Sequence, residues 1–541
     1  MRKFIFTLAF IASGTIMQAQ GVARPKLVIG IVVDQMRWDY LYRYYDRYAK
    51  DGGFKRLLNQ GYSCENTLIP YTPTVTACGH SSIYTGSVPA INGITGNNWY
   101  DNTENREVYC TEDKSVTTVG SSSTLGQMSP RNMLVTTIGD ELRLATNFRS
   151  KVVGIALKDR GGILPAGHSA NAAYWYDNTT GNWITSSYYM TELPKWVSDF
   201  NAQKLVDKYY ETGWNTLYPL NTYLQSSADE KPYEAKPFGA NAKGFPYDMK
   251  SFIGKNYIAV LPSPMGNTLT AEMAKAAVIG EGLGQDEFTD MLAVSFSSPD
   301  YIGHSFGPNS VEQEDDFLRL DKELGGFLDF LDSKVGKDQY TVFLSADHGV
   351  AHVPGFLKEH NIPAASSDIA SVTSILNTAL KEKYGSPKLI VSGDNYQLYL
   401  NNAAIDSLHL NREEVKSWII DYLAVEPTVA RVFALDKIAV TTLNAKEKEM
   451  ITNGWYPKRG GDIQVVLQPQ TLEGFVTAGT THGLWNPYDA HIPFLLYGWG
   501  VKQGKTNRET YMTDIAPTLA ALLHIQMPSG SVGKVVEEAI R

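Results

Sequence analysis

YTVFLSADHG, residues 340–349, is an apolar run that ends in an adjacent carboxylate and imidazole, Asp347 and His348. A run of this kind reads as a strand buried on both faces, the pattern of a parallel sheet. On a regular strand the two side chains would face opposite ways. Where the strand ends and the chain turns, both can be aimed at one point. Carboxylate and neutral imidazole together form an N/O donor set suited to zinc. KLVIGIVVD (26–34) is a second such strand, and it ends on Asp34. MLAVSFSS (291–298) is a third, followed closely by Asp300 and His304. Four residues apart, those two share one face of a helical turn. Late in the chain, GTTHG (479–483) offers His482. Three carboxylates and three imidazoles in loop-like settings suffice for two zinc ions per chain.

The surrounding pattern predicts an α/β fold. KVVGIAL (151–157) is a further buried strand, and EQEDDFLRLDKELGGFLDFLD (312–332) reads as a helix between two of the strands. Alternation of this kind predicts a mostly parallel central sheet flanked by helices. SPRNMLVTTIGDELRLAT (129–146) predicts a helix capped by Ser129 with Pro130 at its first position. IPFLLYG (492–498) and TDIAPTLAALLHI (513–525) read as a strand and a closing helix capped by Thr513. Two stretches break the alternation, about 170–265 and about 355–470, and read as insertions of the sort that loops tolerate. The domain itself is predicted to run over 21–541.

A chain of 541 residues can bury a large core. Its net charge of −9 argues against nucleic acid as the main partner. An anionic substrate must then be drawn in by local charge, such as metal ions. The opening MRKFIFTLAFIASGTIMQAQ (1–20) has Arg2 and Lys3 before a short apolar core and reads as a secretory signal peptide, with cleavage after Ala19. An uncleaved anchor is the alternative, but the apolar run is short for a bilayer. No later stretch reads as a transmembrane helix, so the expected location is periplasmic or extracellular. Cys64, Cys78 and Cys110 are an odd set. In an exported protein a Cys64–Cys110 disulfide is the expected pair, with Cys78 left inside the segment considered next.

That segment is TPTVTACGHSSIYTG (72–86). Thr76 precedes a helix-like stretch, where a hydroxyl meets the positive dipole end and free N–H groups. This suits an attacking alkoxide and a bound phosphate equally well as it suits a plain helix cap, and the residues leave both open. In VVGIALKDRGG (152–162), Lys158 and Arg160 are two apart. On an extended chain they point the same way and reach one phosphate, unless they are a solvated loop pair.

The set resembles the alkaline phosphatase superfamily, in its branch of phosphate-irrepressible bacterial alkaline phosphatases and the related nucleotide pyrophosphatase/phosphodiesterases. PTVTACGH is similar to the branch's nucleophile segment, with Cys78 and Gly79 departing from the usual Pro and Asn. NGITGN (92–97) is similar to a following segment, with Asn92 in place of a His and Asn97 in the functional place. The metal-ligand segments and the closing TTHG and TDIAPTLAALL follow in the same order. The resemblance implies an alkaline-phosphatase-like core carrying two insertions, with Thr76 as nucleophile and Asn97 on the phosphoryl group. It implies one zinc held by Asp34, Asp347 and His348, and another held by Asp300, His304 and His482. It implies that Lys158 and Arg160 are the pair that marks monoesterases, whereas diesterases use an apolar pocket there.

The expected activity is thus hydrolysis of small-molecule phosphate monoesters through a phosphothreonine. The rivals are a phosphodiesterase with the same metals, a sulfatase, and a secreted metal-binding protein on a dead hydrolase scaffold. A sulfatase segment would need a Pro and an Arg after its Cys or Ser, and CGHSS lacks both. The reading is compatible with a monomer. Of the other histidines, His80 carries no ligand role in the family and His491 is a candidate supporter of the ligand loops. His168, His352, His360, His409 and His524 read as ordinary loop or surface residues.

Overall fold

The computed structural model describes residues 23–367, 369–385, 388–474 and 477–541. The predicted export segment and its cleavage point lie outside the described residues. Among those residues, ten strands form the main sheet: β1 (Leu27–Val33), β2 (Tyr62–Leu68), β3 (Thr118–Val119), β4 (Val152–Ala156), β5 (Ala172–Asp177), β6 (Asn182–Ser186), β7 (Asp290–Phe296), β8 (Tyr340–Ser345), β9 (His491–Gly498) and β10 (Gly504–Tyr511). Their order across the sheet is β10-β2-β9-β8-β1-β7-β4-β5-β6-β3. The central neighbours from β8 through β1, β7 and β4 to β5 are all parallel. Antiparallel β9 and β6 flank this parallel block. β1, β7 and β8 are buried along their whole length, as unbroken apolar runs require when helices cover both faces.

Helices α1 (Thr76–Thr85), α2 (Ile138–Ala145), α3 (Asp159–Ala166), α4 (Ser298–Phe306), α5 (Val311–Leu331) and α6 (Ile515–Leu523) pack around this sheet. Two predicted starts move. α2 begins after Thr137, whose hydroxyl accepts from Asp140 N in a capping box, so Ser129 caps no helix. Ser129 instead donates to Asp113. α6 begins after Asp514, because a single tight turn over Met512–Asp514 absorbs Thr513. For α2 a later polar residue satisfies the first free N–H groups, whereas α6 starts without a side-chain cap, its Asp514 carboxylate accepting from Tyr511 N and Lys534 N instead.

Within 170–265, residues 172–186 are β5 and β6 of the main sheet, and irregular backbone with short helices follows. Within 355–470, a four-stranded sheet of Ile390–Asp394, Gln397–Leu400, Val429–Ala434 and Ile463–Leu467 has its own apolar core around Leu398, Ile419 and Val465. The predicted Cys64–Cys110 disulfide is absent: all three cysteines are free thiols and buried. Cys64 lies in β2 within the main core, and Cys110 packs with Ala77, Ile94 and Trp99 in a separate cluster.

Candidate active site

Four adjacent parallel strands deliver the site at their carboxyl ends, where open α/β sheets place their chemistry. Taken across the sheet, β8 leads to Asp347 and His348, and β1 leads to Asp34. β7 leads into α4 with Asp300 and His304, and β4 leads to Lys158 and Arg160. His482 arrives from a loop that follows the smaller sheet, and its Nδ1 is 2.7 Å from Thr74 O. The His482 ring stacks on His348 with centroids 3.5 Å apart.

The six predicted ligands form two triads, Asp34/Asp347/His348 and Asp300/His304/His482, each with its donor atoms within 4.8 Å of one another. In the first, His348 Nε2 lies 3.6 Å from Asp34 Oδ1 and 3.5 Å from Asp347 Oδ2. Among the described residues none of these three buried atoms has a hydrogen-bond partner, although His80 Nδ1, which bonds Thr76 O, comes within 3.2 Å of Asp347 Oδ2. In the second, Asp300 Oδ1 lies 3.2 Å from His304 Nε2 and 3.6 Å from His482 Nε2. Ligands held at about 2.0–2.1 Å around a tetrahedral ion are roughly 3.3 Å apart, so both spacings fit a shared cation. The tautomers agree. His304, His348 and His482 each place Nδ1 against a backbone carbonyl, of Thr480, Gly349 and Thr74. A carbonyl only accepts, so the proton is on Nδ1 and each Nε2 presents a lone pair. The residues present therefore fit two zinc ions.

Thr76 is the first residue of α1, a helix buried throughout. It is not the cap: extended Val75 holds that position, and no side-chain cap bond forms. The Thr76 hydroxyl instead lies 3.4 Å from Lys158 Nζ. Lys158 Nζ is also 2.6 Å from Asp34 Oδ2 and 2.6 Å from Asp300 Oδ2, and so bridges the two triads. Asn97 Oδ1 accepts from Ala77 N at 2.9 Å, which orients the amide at the start of α1 and leaves its NH2 as the outer end.

The charges are strongly coupled. Burial, and then the neighbouring Asp347, push Asp34 well above the ordinary carboxylate value. Burial opposes the Asp300 charge, but His304 and Lys158 hold it well below that value. Burial likewise opposes the Lys158 charge, and Asp300 and Asp34 outweigh it and raise the ammonium above its usual range. Burial, then His348 and His304, lower His482 far below an ordinary imidazole, so it is neutral.

Three further residues touch the ligands: from sequence, His80 carries no ligand role, Gly79 stands only as a departure from the usual Asn, and Gln35 is unmarked. His80 Nδ1 is 2.9 Å from Thr76 O and 3.2 Å from Asp347 Oδ2, and Nε2 is 2.7 Å from Ser295 Oγ. Gln35, in left-handed backbone, donates N–H to Asp347 Oδ1 and Nε2 to Asp300 Oδ1. Gly79 packs so tightly that a Cβ would come within 2.4 Å of Asp347, so the departure to Gly lets α1 reach the ligand. The only sequence signal was proximity to Thr76 and Asp34. His491, by contrast, begins β9, stacks on Trp38 and places Nε2 against Glu65 O. The expected extended Lys158–Arg160 segment also differs. Lys158 is extended, but Arg160 lies in the first turn of α3. Both still line one cavity of about 200 Å³, together with Tyr109 and Tyr301.

The family described as type I phosphodiesterase / nucleotide pyrophosphatase matches residues 28–473. The chain belongs to this family. Proteins similar to it over nearly full length include "Alkaline phosphatase PhoV" of Synechococcus elongatus, 54% identical over 96% of this chain and 94% of that protein. A Myroides odoratus protein named "Calcium-transporting ATPase" is 52% identical over 98% of this chain and 97% of its own length. "Alkaline phosphatase PafA" of Elizabethkingia meningoseptica is 49% identical over 97% and 96%. A PafA crystal structure superposes with a TM-score of 0.94, at 49% identity, over 96% of this chain and all of that one. This type I phosphodiesterase family chain thus shares the alkaline-phosphatase-like architecture in full.

Proposed function

We propose that this chain is an alkaline phosphatase that hydrolyses small-molecule phosphate monoesters. The carrying observation is the convergence of the Thr76 hydroxyl, Lys158 and both triads on one point. The full-length similarity to proteins named alkaline phosphatase supports the same reading. A terminal phosphoryl group of a nucleoside triphosphate presents the same anionic end as a monoester, so the name of the Myroides odoratus relative points to related chemistry.

Two zinc ions, held by Asp34/Asp347/His348 and by Asp300/His304/His482, would supply Lewis-acid stabilisation of the attacking and departing oxygens. Thr76 Oγ attacks phosphorus and the ester P–O bond breaks, with the departing alcohol taking up a proton. Water then cleaves the phosphothreonine and frees Thr76 and inorganic phosphate. Asn97 offers its NH2, and Lys158 and Arg160 offer positive N–H groups, to the non-bridging oxygens. A monoester carries an additional charged oxygen where a diester carries an ester group. Two charge-assisted contacts of about 1.5–3 kcal/mol each favour the monoester by orders of magnitude. We further read residues 1–20 as an export signal and the four-stranded unit within 355–470 as an insertion. Among the described residues no helix is long and apolar enough to cross a membrane.

The test is a set of steady-state rates for a matched aryl monoester, diester and sulfate, with metal content measured on the same sample. A strong monoester preference with about two zinc ions per chain is expected. A preference for the diester overturns the reading in favour of a phosphodiesterase.

A further inference from the structure

We infer that Tyr109, anchored by Asp159, is a positioning residue that holds the Arg160 guanidinium for the monoester's additional oxygen. This rests on the monoesterase reading of Lys158 and Arg160. The Tyr109 hydroxyl accepts from Arg160 Nη1 at 3.0 Å and donates to Asp159 Oδ1 at 2.8 Å. The other Asp159 oxygen accepts from the Thr111 hydroxyl. Two hydroxyl donors thus occupy this carboxylate, and among the described residues no carboxylate pairs with Arg160. The guanidinium keeps its positive charge for a ligand, and its buried Nε has no partner.

The phenol is suited to the task in both directions. Asp159 can only accept from it, so the hydroxyl proton points at Asp159 and a lone pair faces Arg160. Burial pushes the Tyr109 hydroxyl well above its ordinary value, against the opposing pull of Arg160, so it remains neutral and does not cancel the guanidinium charge. Arg160 also has somewhere to go without it. Tyr109, Arg160 and Lys158 line the same cavity, which extends to Trp175 and Tyr176. A long side chain beside open space loses its placement when its one tether is cut.

Backbone connects this tether to the other phosphate contact. Asn98–Asp101 and Arg106–Tyr109 form a hairpin in which Asn98 pairs with Tyr109. Asn97 precedes the first strand, and its carbonyl accepts from Cys110 N at 2.9 Å. The base of one hairpin therefore sets Asn97 directly and Arg160 through Tyr109. One hairpin would thus place contacts to two oxygens of one phosphoryl group.

The experiment is a cycle of Tyr109→Phe and Arg160→Ala in the full-length zinc enzyme, read as kcat/KM for a matched aryl monoester and diester. Tyr109→Phe is expected to lower the monoester value roughly 10- to 100-fold, the scale of a misplaced contact group. The diester value should change less than about twofold, within measurement error of no barrier change. In the Arg160→Ala background Tyr109→Phe should add nothing. Thr111→Val, which loosens Asp159 without touching Arg160, should show the same pattern more weakly. Equal loss on both esters, additivity with Arg160→Ala, or an unchanged monoester rate overturns the inference. If Arg160→Ala itself leaves the ester ratio unchanged, the monoesterase reading of Arg160 fails first. That result is separable because it does not involve Tyr109.

Discussion

The two triads use the same residue types but differ in access. Asp34, Asp347 and His348 are fully buried, and α1 packs on Asp347 at Gly79. In the other triad the His304 side chain is 34% exposed, and the ligands come from α4 and a loop. On the proposed mechanism, a nucleophile that must be deprotonated, shielded and aimed would belong with the closed triad, and a departing alcohol and an entering water with the open one. The asymmetry therefore matches the two ends of an in-line displacement. It also teaches why Lys158 lies between them. Three carboxylates converge there, and a buried cation paired with Asp34 and Asp300 offsets part of their repulsion.

The largest effect should come from the closed side. Thr76→Ala is expected to lower monoester turnover at least about a thousandfold, some 4 kcal/mol of barrier. Zinc content should stay at the wild-type value. Rapid acid quenching with labelled substrate should mark Thr76 in the wild type and nothing in the variant. A label on another residue would move the nucleophile away from the buried triad and break the comparison.

Replacing Lys158 and Arg160 together by Ala should come next. Monoester kcat/KM is expected to fall by roughly two to four orders of magnitude, from two lost charge-assisted contacts. Diester turnover should stay close to wild type. An equal fall on both esters would mean that the pair only supports the triads electrostatically and does not read the additional oxygen.

Metal removal separates the triads by access. Timed exposure to a chelator should take one zinc quickly, from the open triad, and the second more slowly. His304→Ala should abolish the fast phase and leave the slow one, whereas His348→Ala should do the reverse. A single phase for the wild type would show that exposure of His304 does not govern exchange.

Much of this arrangement was legible in the sequence, for a physical reason. Asp34 and Asp347 end apolar runs, and a run that ends in a carboxylate places it at a strand terminus. Asp300 and His304 have helical spacing. These are local patterns, and the sheet merely brings them side by side. What was not legible depends on contacts between distant segments. Tyr109 meets Arg160, and His80 meets Ser295, across long stretches of chain. The start of α2 at Thr137 rather than Ser129, and the free state of Cys64 and Cys110, are of the same kind. Each depends on which partner the fold supplies. The helical placement of Arg160 was misread because a two-residue spacing is uninformative when the strand has already ended.

The smallest predicted effects are the most discriminating, because two supporting residues each reach one triad through a side chain. His80 touches Asp347 of the closed triad, and the Gln35 amide touches Asp300 of the open one. Residues that touch a metal ligand from behind usually contribute about 10- to 100-fold in affinity or activity. His80→Ala should therefore weaken the slowly exchanging zinc by that factor and leave the fast one unchanged. Gln35→Ala should do the opposite, since its backbone N–H still reaches Asp347. Both are read as zinc dissociation constants by chelator competition, independent of turnover. If each variant weakens both ions alike, the triads behave as one coupled cluster through Lys158, and the division of labour between a closed and an open site is lost. If the effects cross as expected, the two sites are separately supported. In that case the closed one owes its affinity in part to the same helix that presents Thr76.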